Sequence, residues 1–168
     1  LAGEIRSLVR ATPPRDGYRI PRVAFFMGRW IRHGDWHPDY QLRFFDRRRG
    51  RWEGGSVHES VRLQGPPGFL RGEIHHYSYR NLSAYLERLE RYSTLAARDY
   101  RRKGKTVSAL KLAVTPPAVF LKAFLLKRGF LDGVPGLMAA AMGATSVFFK
   151  YAKLFELERQ EAGSQSSP

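Results

Sequence analysis

The stretch NLSAYLERLERYSTLAARDYRRKG, residues 81–104, is where the chain changes character. Leu82, Tyr85, Leu86, Leu89, Tyr92 and Ala96 recur every three or four residues, with Glu87, Arg88, Glu90 and Arg91 between them, which is the pattern of an amphipathic helix. Glu87 and Arg91 stand four apart in the favourable order and add local support. Gly104 is a usual C-terminal stop, so the helix is expected to run from Asn81 to about Lys103.

Upstream of this helix the sequence reads as β-rich. Leu1, Ile5, Leu8 and Val9 first mark a short lead-in helix, which Thr12-Pro13-Pro14-Arg15-Asp16-Gly17 ends. Tyr18–Ile20 and Val23–Met27 are rich in β-formers and are interrupted by Pro21, so an edge strand or a bulged pair near Gly28 is expected. A turn at His33-Gly34-Asp35 leads to a second extended segment, Tyr40–Asp46, and Phe69–Tyr77 makes a third. The run Arg47-Arg48-Arg49-Gly50-Arg51, followed by Trp52, admits two readings: a solvated hairpin turn or a nucleic-acid contact.

Downstream, residues 112–157 are mostly apolar, and their longest uncharged window, Gly133–Phe149, spans 17 residues and contains Pro135, Gly136 and Gly143. That barely reaches the roughly 17–25 residues of a spanning helix. An interfacial or re-entrant helix pair is expected, with Lys122, Lys127, Lys150 and Lys153 reaching a phosphate layer, against the alternative of a buried helical hairpin turning at 129–136. The resulting division is 1–80 as a β-rich half, 81–104 as amphipathic helix, 105–158 as an apolar helical membrane-association region and 159–168 as a low-complexity, disordered tail.

Composition narrows the partners. The 168 residues are 43% hydrophobic and 13% aromatic, which argues for a folded core. Twenty-nine Lys and Arg against fifteen Asp and Glu give a formal charge of +14, favouring an anionic partner: nucleic acid, an acidic membrane surface or a phosphorylated substrate. The absence of cysteine excludes disulfides and thiolate metal sites. There is no Walker-type or dinucleotide glycine loop and no Gly-x-Ser-x-Gly elbow.

Polar chemistry adjoins strand-like sequence at Trp36-His37-Pro38-Asp39, Gln41-Leu42-Arg43-Phe44-Phe45, Val57-His58-Glu59 and Ile74-His75-His76-Tyr77. A carboxylate at a strand end can serve as a general base, and a neighbouring His can tune it or bind metal. His58, Glu59, His75 and His76 lack the tight spacing of a self-sufficient zinc site. Trp36 can offer its ring for stacking or pack in a core, and the Arg43 guanidinium can contact phosphate or pair with Asp39 or Asp46. Asp132, flanked by glycines, reads as a helix cap.

The order of these motifs resembles the family-2 glycosyltransferases of the lipopolysaccharide-core glucosyltransferase type. The resemblance rests on Gly17-Tyr18-x-Ile20-Pro21-Arg22, then Gly28-x-x-Ile31-x-His33-Gly34-x-Trp36, Pro38-Asp39, Gln41–Phe45, Val57-His58-Glu59 and Ile74–Tyr77. It continues through Tyr92-Ser93, Ala96-Ala97 and Gly104-Lys105 to Gly129-Phe130-Leu131-Asp132-Gly133 and Gly136-Leu137, its most specific part. The resemblance implies the carboxy-terminal portion of an α/β nucleotide-diphosphate-sugar transferase (GT-A-like) fold, short strands followed by amphipathic, membrane-associated helices.

It further implies an inverting transfer from a nucleotide-sugar donor to a lipopolysaccharide-core or similar glycolipid acceptor, at an anionic membrane surface on the cytoplasmic face of the inner membrane. Glu59 would be the base and His58 its orienting partner. Arg43, Asp39, Trp36 and Gln41 would bind substrate, and His76 would approach the metal. The divalent cation, Mg or Mn, would be held mainly by an Asp-x-Asp motif, which these residues do not contain and which is expected upstream; the chain alone is then expected to be inactive. Two other classes compete: a basic nucleic-acid-binding module and a non-catalytic membrane-surface scaffold. The family reading implies no nucleic-acid partner.

Overall fold

The computed structural model describes residues 1–11, 13–53, 60–79 and 81–165. It is a mixed α/β structure that divides into two compact units, residues 1–24 with 37–76 and residues 25–36 with 77–168. The division does not follow chain order, and residues 1–80 contribute to both units.

In the first unit, helix α1 (Ala2–Arg10) lays Ile5 and Leu8 against Tyr18, Ile20 and Leu70, and Phe44 and Ile74 complete this core. Glu4 anchors the helix, because its carboxylate accepts the backbone N–H groups of Arg71 and Gly72, both at 2.8 Å. Strand β1 (Gly17–Phe26) is the hub of the sheet. It pairs antiparallel with β3 (Asp39–Phe45) and parallel with the short β6 (Gly68–Phe69), and β7 (Ile74–Tyr77) also pairs with it.

Pro21 does not interrupt β1 as the sequence suggested. It lies in register with Tyr40, and the irregularity falls between Tyr18 and Arg19 rather than near Gly28. The extended segment expected over 69–77 is two short strands separated at residues 70–73. The arginine run is a solvated turn, but it does not close a hairpin between its flanking strands. It leads from β3 into β4 (Gly50–Glu53), which pairs with β5 (Ser60–Leu63) in a separate two-stranded ribbon.

In the second unit the end of β1 turns through Met27 and Gly28, with φ of 49° and 80°, into β2 (Arg29–Ile31). Two positive φ values fit a two-residue hairpin whose twist matches the strands, and Gly28 takes its share without steric cost. Helix α2 (Leu82–Arg102) starts as expected, with the Asn81 side chain accepting the Ala84 N–H at 2.9 Å. Gly104, at φ 67°, follows its end.

The buried seam of α2 is Tyr85, Leu89, Ser93 and Ala97, whereas Leu82, Leu86 and Tyr92 are exposed. Small residues at 93 and 97 let another helix approach, and α2 packs on α4 (Gly133–Gln165). Arg91 lies over the ring of Tyr92, and Glu90 pairs with Lys153 of α4. Helix α3 (Ala109–Leu121) also packs on α4 and continues as one π-helical turn, Lys122–Leu126. It runs through Pro116 and Pro117, whose missing N–H groups leave the Leu112 and Ala113 carbonyls without their usual helical donors. A 3-10 turn over Gly129–Asp132 then delivers the chain to α4.

Candidate functional site

The β1–β3 pair positions the polar residues of the first unit. Arg22 and Asp39 are directly opposite in register, and Arg22 meets Asp39 Oδ2 through Nε at 2.7 Å and Nη2 at 2.5 Å. Gln41, two residues along the same strand face, donates from Nε2 to Asp39 Oδ1 at 2.5 Å. Both carboxylate oxygens are thereby held, and the group is half-buried.

Arg43 owes its placement to a register shift. Tyr18 pairs with Phe44 and Arg19 with Leu42, so Arg43 is the extra residue of a bulge. Simple alternation would aim it at the core face beside Tyr18. The bulge gives that place to Phe44, whose ring lies 6.0 Å from Tyr18, and turns Arg43 out to solvent. Asp39 is taken by Arg22, and Asp46 by Arg48 at 2.6 Å. Among the described residues Arg43 therefore has no carboxylate partner.

Hydrogen bonding from the Arg48 guanidinium, reinforced by its backbone N–H, holds the Asp46 carboxyl at about 2. Arg49 pairs with Asp16 at 3.0 Å, and Arg51 and Arg62 lie 3.7 and 3.3 Å from Glu53. The arginine turn is thus largely engaged with its own carboxylates.

Trp36 belongs to the second unit, and Asp39, Gln41, Arg43 and His76 to the first. Its ring lies edge-on to Phe26 at 5.2 Å and tilted to Tyr79 at 6.0 Å, against the cluster of Phe26, Ile31, Tyr85, Leu89 and Met142. Of its two readings, core packing is the one these contacts favour. Glu59 and His58 lie outside the described residues. His76, on β7, is half-buried. Among the described residues no group of three His, Asp or Glu side chains converges as a metal site would require.

Asp132 does something the sequence did not disclose. Its carboxylate is almost fully buried and accepts the backbone N–H groups of Arg32 at 2.9 Å and His33 at 2.8 Å, with His33 Nδ1 3.1 Å from the other oxygen. Arg29 Nε lies 3.8 Å away, and its Nη2 donates to the Leu131 carbonyl. The carboxylate joins residues a hundred positions apart instead of capping a helix. Gly34 donates to the Lys127 carbonyl at 2.9 Å and Lys127 pairs with Asp35 at 2.6 Å, which closes the same junction.

These contacts match the sequence motifs in pairs. Residues 17–22 and 38–45 meet through Arg22 and Asp39, and residues 28–36 and 129–137 meet through Asp132. No family model matches the chain, and no solved structure matches it. Among curated proteins, the lipopolysaccharide core biosynthesis glycosyltransferase LpsC of Rhizobium meliloti is 27% identical over 151 residues, covering 89% of this chain and 56% of that protein.

An uncharacterized glycosyltransferase of Rickettsia prowazekii, RP128, is 31% identical over 99 residues, covering 59% of this chain and 34% of its own length. Another from Rickettsia typhi, RT0209, is 34% identical over 88 residues, 52% of this chain and 30% of its own. The chain is similar to bacterial glycosyltransferases, and to the lipopolysaccharide-core type over most of its length. It spans about half the length of LpsC and about a third of the Rickettsia proteins.

Proposed function

We propose that this chain supplies the acceptor side of an inverting, family-2 glycosyltransferase with a GT-A-like fold, acting on a lipopolysaccharide-core or similar glycolipid. The observation that carries the reading is the similarity to LpsC across 89% of the chain. In this reading Glu59 takes the proton of an acceptor hydroxyl as its oxygen attacks the anomeric carbon of a nucleotide-sugar, and the bond to the leaving diphosphate breaks. His58 orients Glu59.

Arg43, exposed and without a carboxylate partner among the described residues, offers a fork of donors to a phosphate group. Asp39, with Arg22 on Oδ2 and Gln41 on Oδ1, is prearranged to accept a sugar hydroxyl on the remaining lone pair of Oδ1. The divalent cation, Mg or Mn, is left to an Asp-x-Asp motif that these residues do not contain, and no step here passes through it.

The same reading places the protein peripherally on the cytoplasmic face of the inner membrane. Support comes from the apolar helices: Ala109–Leu126 and Gly129–Ala162 are long and apolar enough to cross a membrane, yet only 11% and 28% of their windows are buried. A helix in the core of a soluble protein would be mostly covered. The reading assigns no nucleic-acid partner, and the local pairing of Arg48, Arg49 and Arg51 supports that.

The test is calorimetric binding of UDP- and GDP-sugars, with magnesium or manganese, to this chain and to a version extended upstream, followed by transfer to lipopolysaccharide core. Binding and transfer by the extended form alone support the reading, and tight donor binding by these 168 residues would place the donor site wrongly. In the active form Glu59→Gln is expected to lower kcat about 10²- to 10⁴-fold. An unchanged kcat removes Glu59 as base.

A further inference from the structure

Three lysines of the second unit converge on two tyrosines. Lys105 Nζ lies 4.7 Å from the ring centre of Tyr100, and Lys150 Nζ lies 4.6 Å from the centres of both Tyr100 and Tyr151. Lys111 Nζ is 5.3 Å from that of Tyr151, and the two rings are 6.4 Å apart. Lys150 also donates to Tyr100 Oη at 3.4 Å, and this bond with the surrounding positive charge lowers the Tyr100 pKa.

The carboxylates around the cluster are engaged elsewhere. Glu158 accepts from the Val107 N–H, Glu161 pairs with Arg101, Asp99 with Arg102 and Lys103, and Glu90 with Lys153. Among the described residues none of Lys105, Lys111 and Lys150 has a carboxylate partner. Three like charges held together, offset by ring faces and one tyrosine hydroxyl, favour the arrival of an anion.

A groove of about 600 Å³ lies between α3 and α4. It is lined by Leu112, Pro116 and Phe120 on one side and by Ala144, Thr145 and Phe148 on the other, and Thr145 is the one polar side chain in its wall. Leu112 joins the two features, since it lines the groove and packs against the core that contains Tyr151. Tyr151, three residues beyond Phe148, continues the same stripe of α4. Leu112, next in sequence to Lys111, is thus the link between groove and cluster, and the groove's volume is that of a small-molecule site.

We propose that the lysine cluster and the groove form one site for an anionic phospholipid of the membrane, with the phosphate at Lys105, Lys111 and Lys150 and an acyl chain along the groove. The proposal rests on the reading of the apolar helices as membrane-facing. An acyl chain matches the nearly all-apolar wall, the phosphate matches the charge of the cluster, and neither half of the site alone calls for both.

Vesicle flotation tests this directly, using phosphatidylcholine with and without phosphatidylglycerol. The chain is expected to prefer the anionic vesicles. Lys111→Gln with Lys150→Gln is expected to weaken that binding about thirty-fold, each charge counting about five-fold. Arg47→Gln with Arg51→Gln, removing the same charge from the arginine turn, is expected to change it less than about two-fold. Ala144→Phe, which fills the groove, is expected to weaken binding to both compositions with the helical circular dichroism retained.

Equal losses from the two charge pairs would mean diffuse electrostatics and overturn the site. Short-chain phosphatidylglycerol is expected to shift the Tyr100 and Tyr151 ring resonances. Inorganic phosphate producing the same shifts would mean an anion site without an acyl chain. A concentration-dependent dimer abolished by Ala144→Phe, with vesicle binding unchanged, would give the groove to a second copy and overturn the proposal. None of these measurements uses a nucleotide-sugar, so failure of sugar transfer and failure of lipid binding are separate results.

Discussion

The carboxylate of Asp132 is almost fully buried, accepts two backbone N–H groups and faces His33 and Arg29, so Asp132→Ala removes the acceptor of both N–H groups at once. A loss of about 3 kcal/mol is expected in urea or thermal unfolding. Asp46 shows a less buried case. Its carboxyl is held at about 2, below the ordinary 3.8, so its stabilising pairing is present above about pH 4 and fades as pH falls towards 2. Carboxyl NMR titration is expected to place its midpoint near 2 and Arg48→Gln to move it up towards 3.8. At this scale the sequence shows which residues carry charge but not which groups they meet. Spacing showed Asp132 among glycines, which suggests a cap, because nothing local reveals an acceptor for residues 32 and 33. Arg43 looked free to reach phosphate or to pair with Asp39 or Asp46, and only the strand register discloses the bulge that turns it outward. Glu4 and its two backbone donors carried no local signal at all.

Helix α2 was legible because its signals are local: periodic apolar residues, Asn81 at its start and Gly104 after its end. Asn81→Ala is expected to cost about 1 kcal/mol in thermal unfolding, through loss of the bond to the Ala84 N–H. Its buried stripe was less legible, because Ser93 and Ala97 are chosen by the approach of α4 rather than by their own hydrophobicity. Strand β1 was harder still, since a proline is normally evidence against a continuous strand and its tolerance depends on neighbours distant in sequence. The turn between α3 and α4 explains why glycine recurs there. A Cβ at position 136 would lie 2.0 Å from the Gly129 carbonyl oxygen and 2.9 Å from Asp132 Cβ. Gly136→Ala gains helix propensity but must move backbone, and a net loss of about 2 kcal/mol is expected in the same assay. The residues that carry the family resemblance most specifically thus have a structural reason to be there, separate from any role in sugar transfer.

At the scale of the whole molecule, the mixed α/β class and the change from strands to helices were readable from periodicity, whereas the division into units was not. Periodicity is a property of neighbouring residues, and the second unit takes Phe26, Ile31 and Trp36 from the strand-rich half to complete the core around Tyr85 and Leu89. A fragment of residues 77–168 keeps all three long helices and lacks those side chains. It is expected to stay helical by circular dichroism and to lose the sharp, cooperative melt of the full chain. The chain passes from one unit to the other after residues 24, 36 and 76. For anyone cutting or recombining the gene, no single breakpoint yields either unit whole. A chimera between relatives that exchanges one unit intact needs three junctions, and inheritance by simple fusion would have to carry both units together.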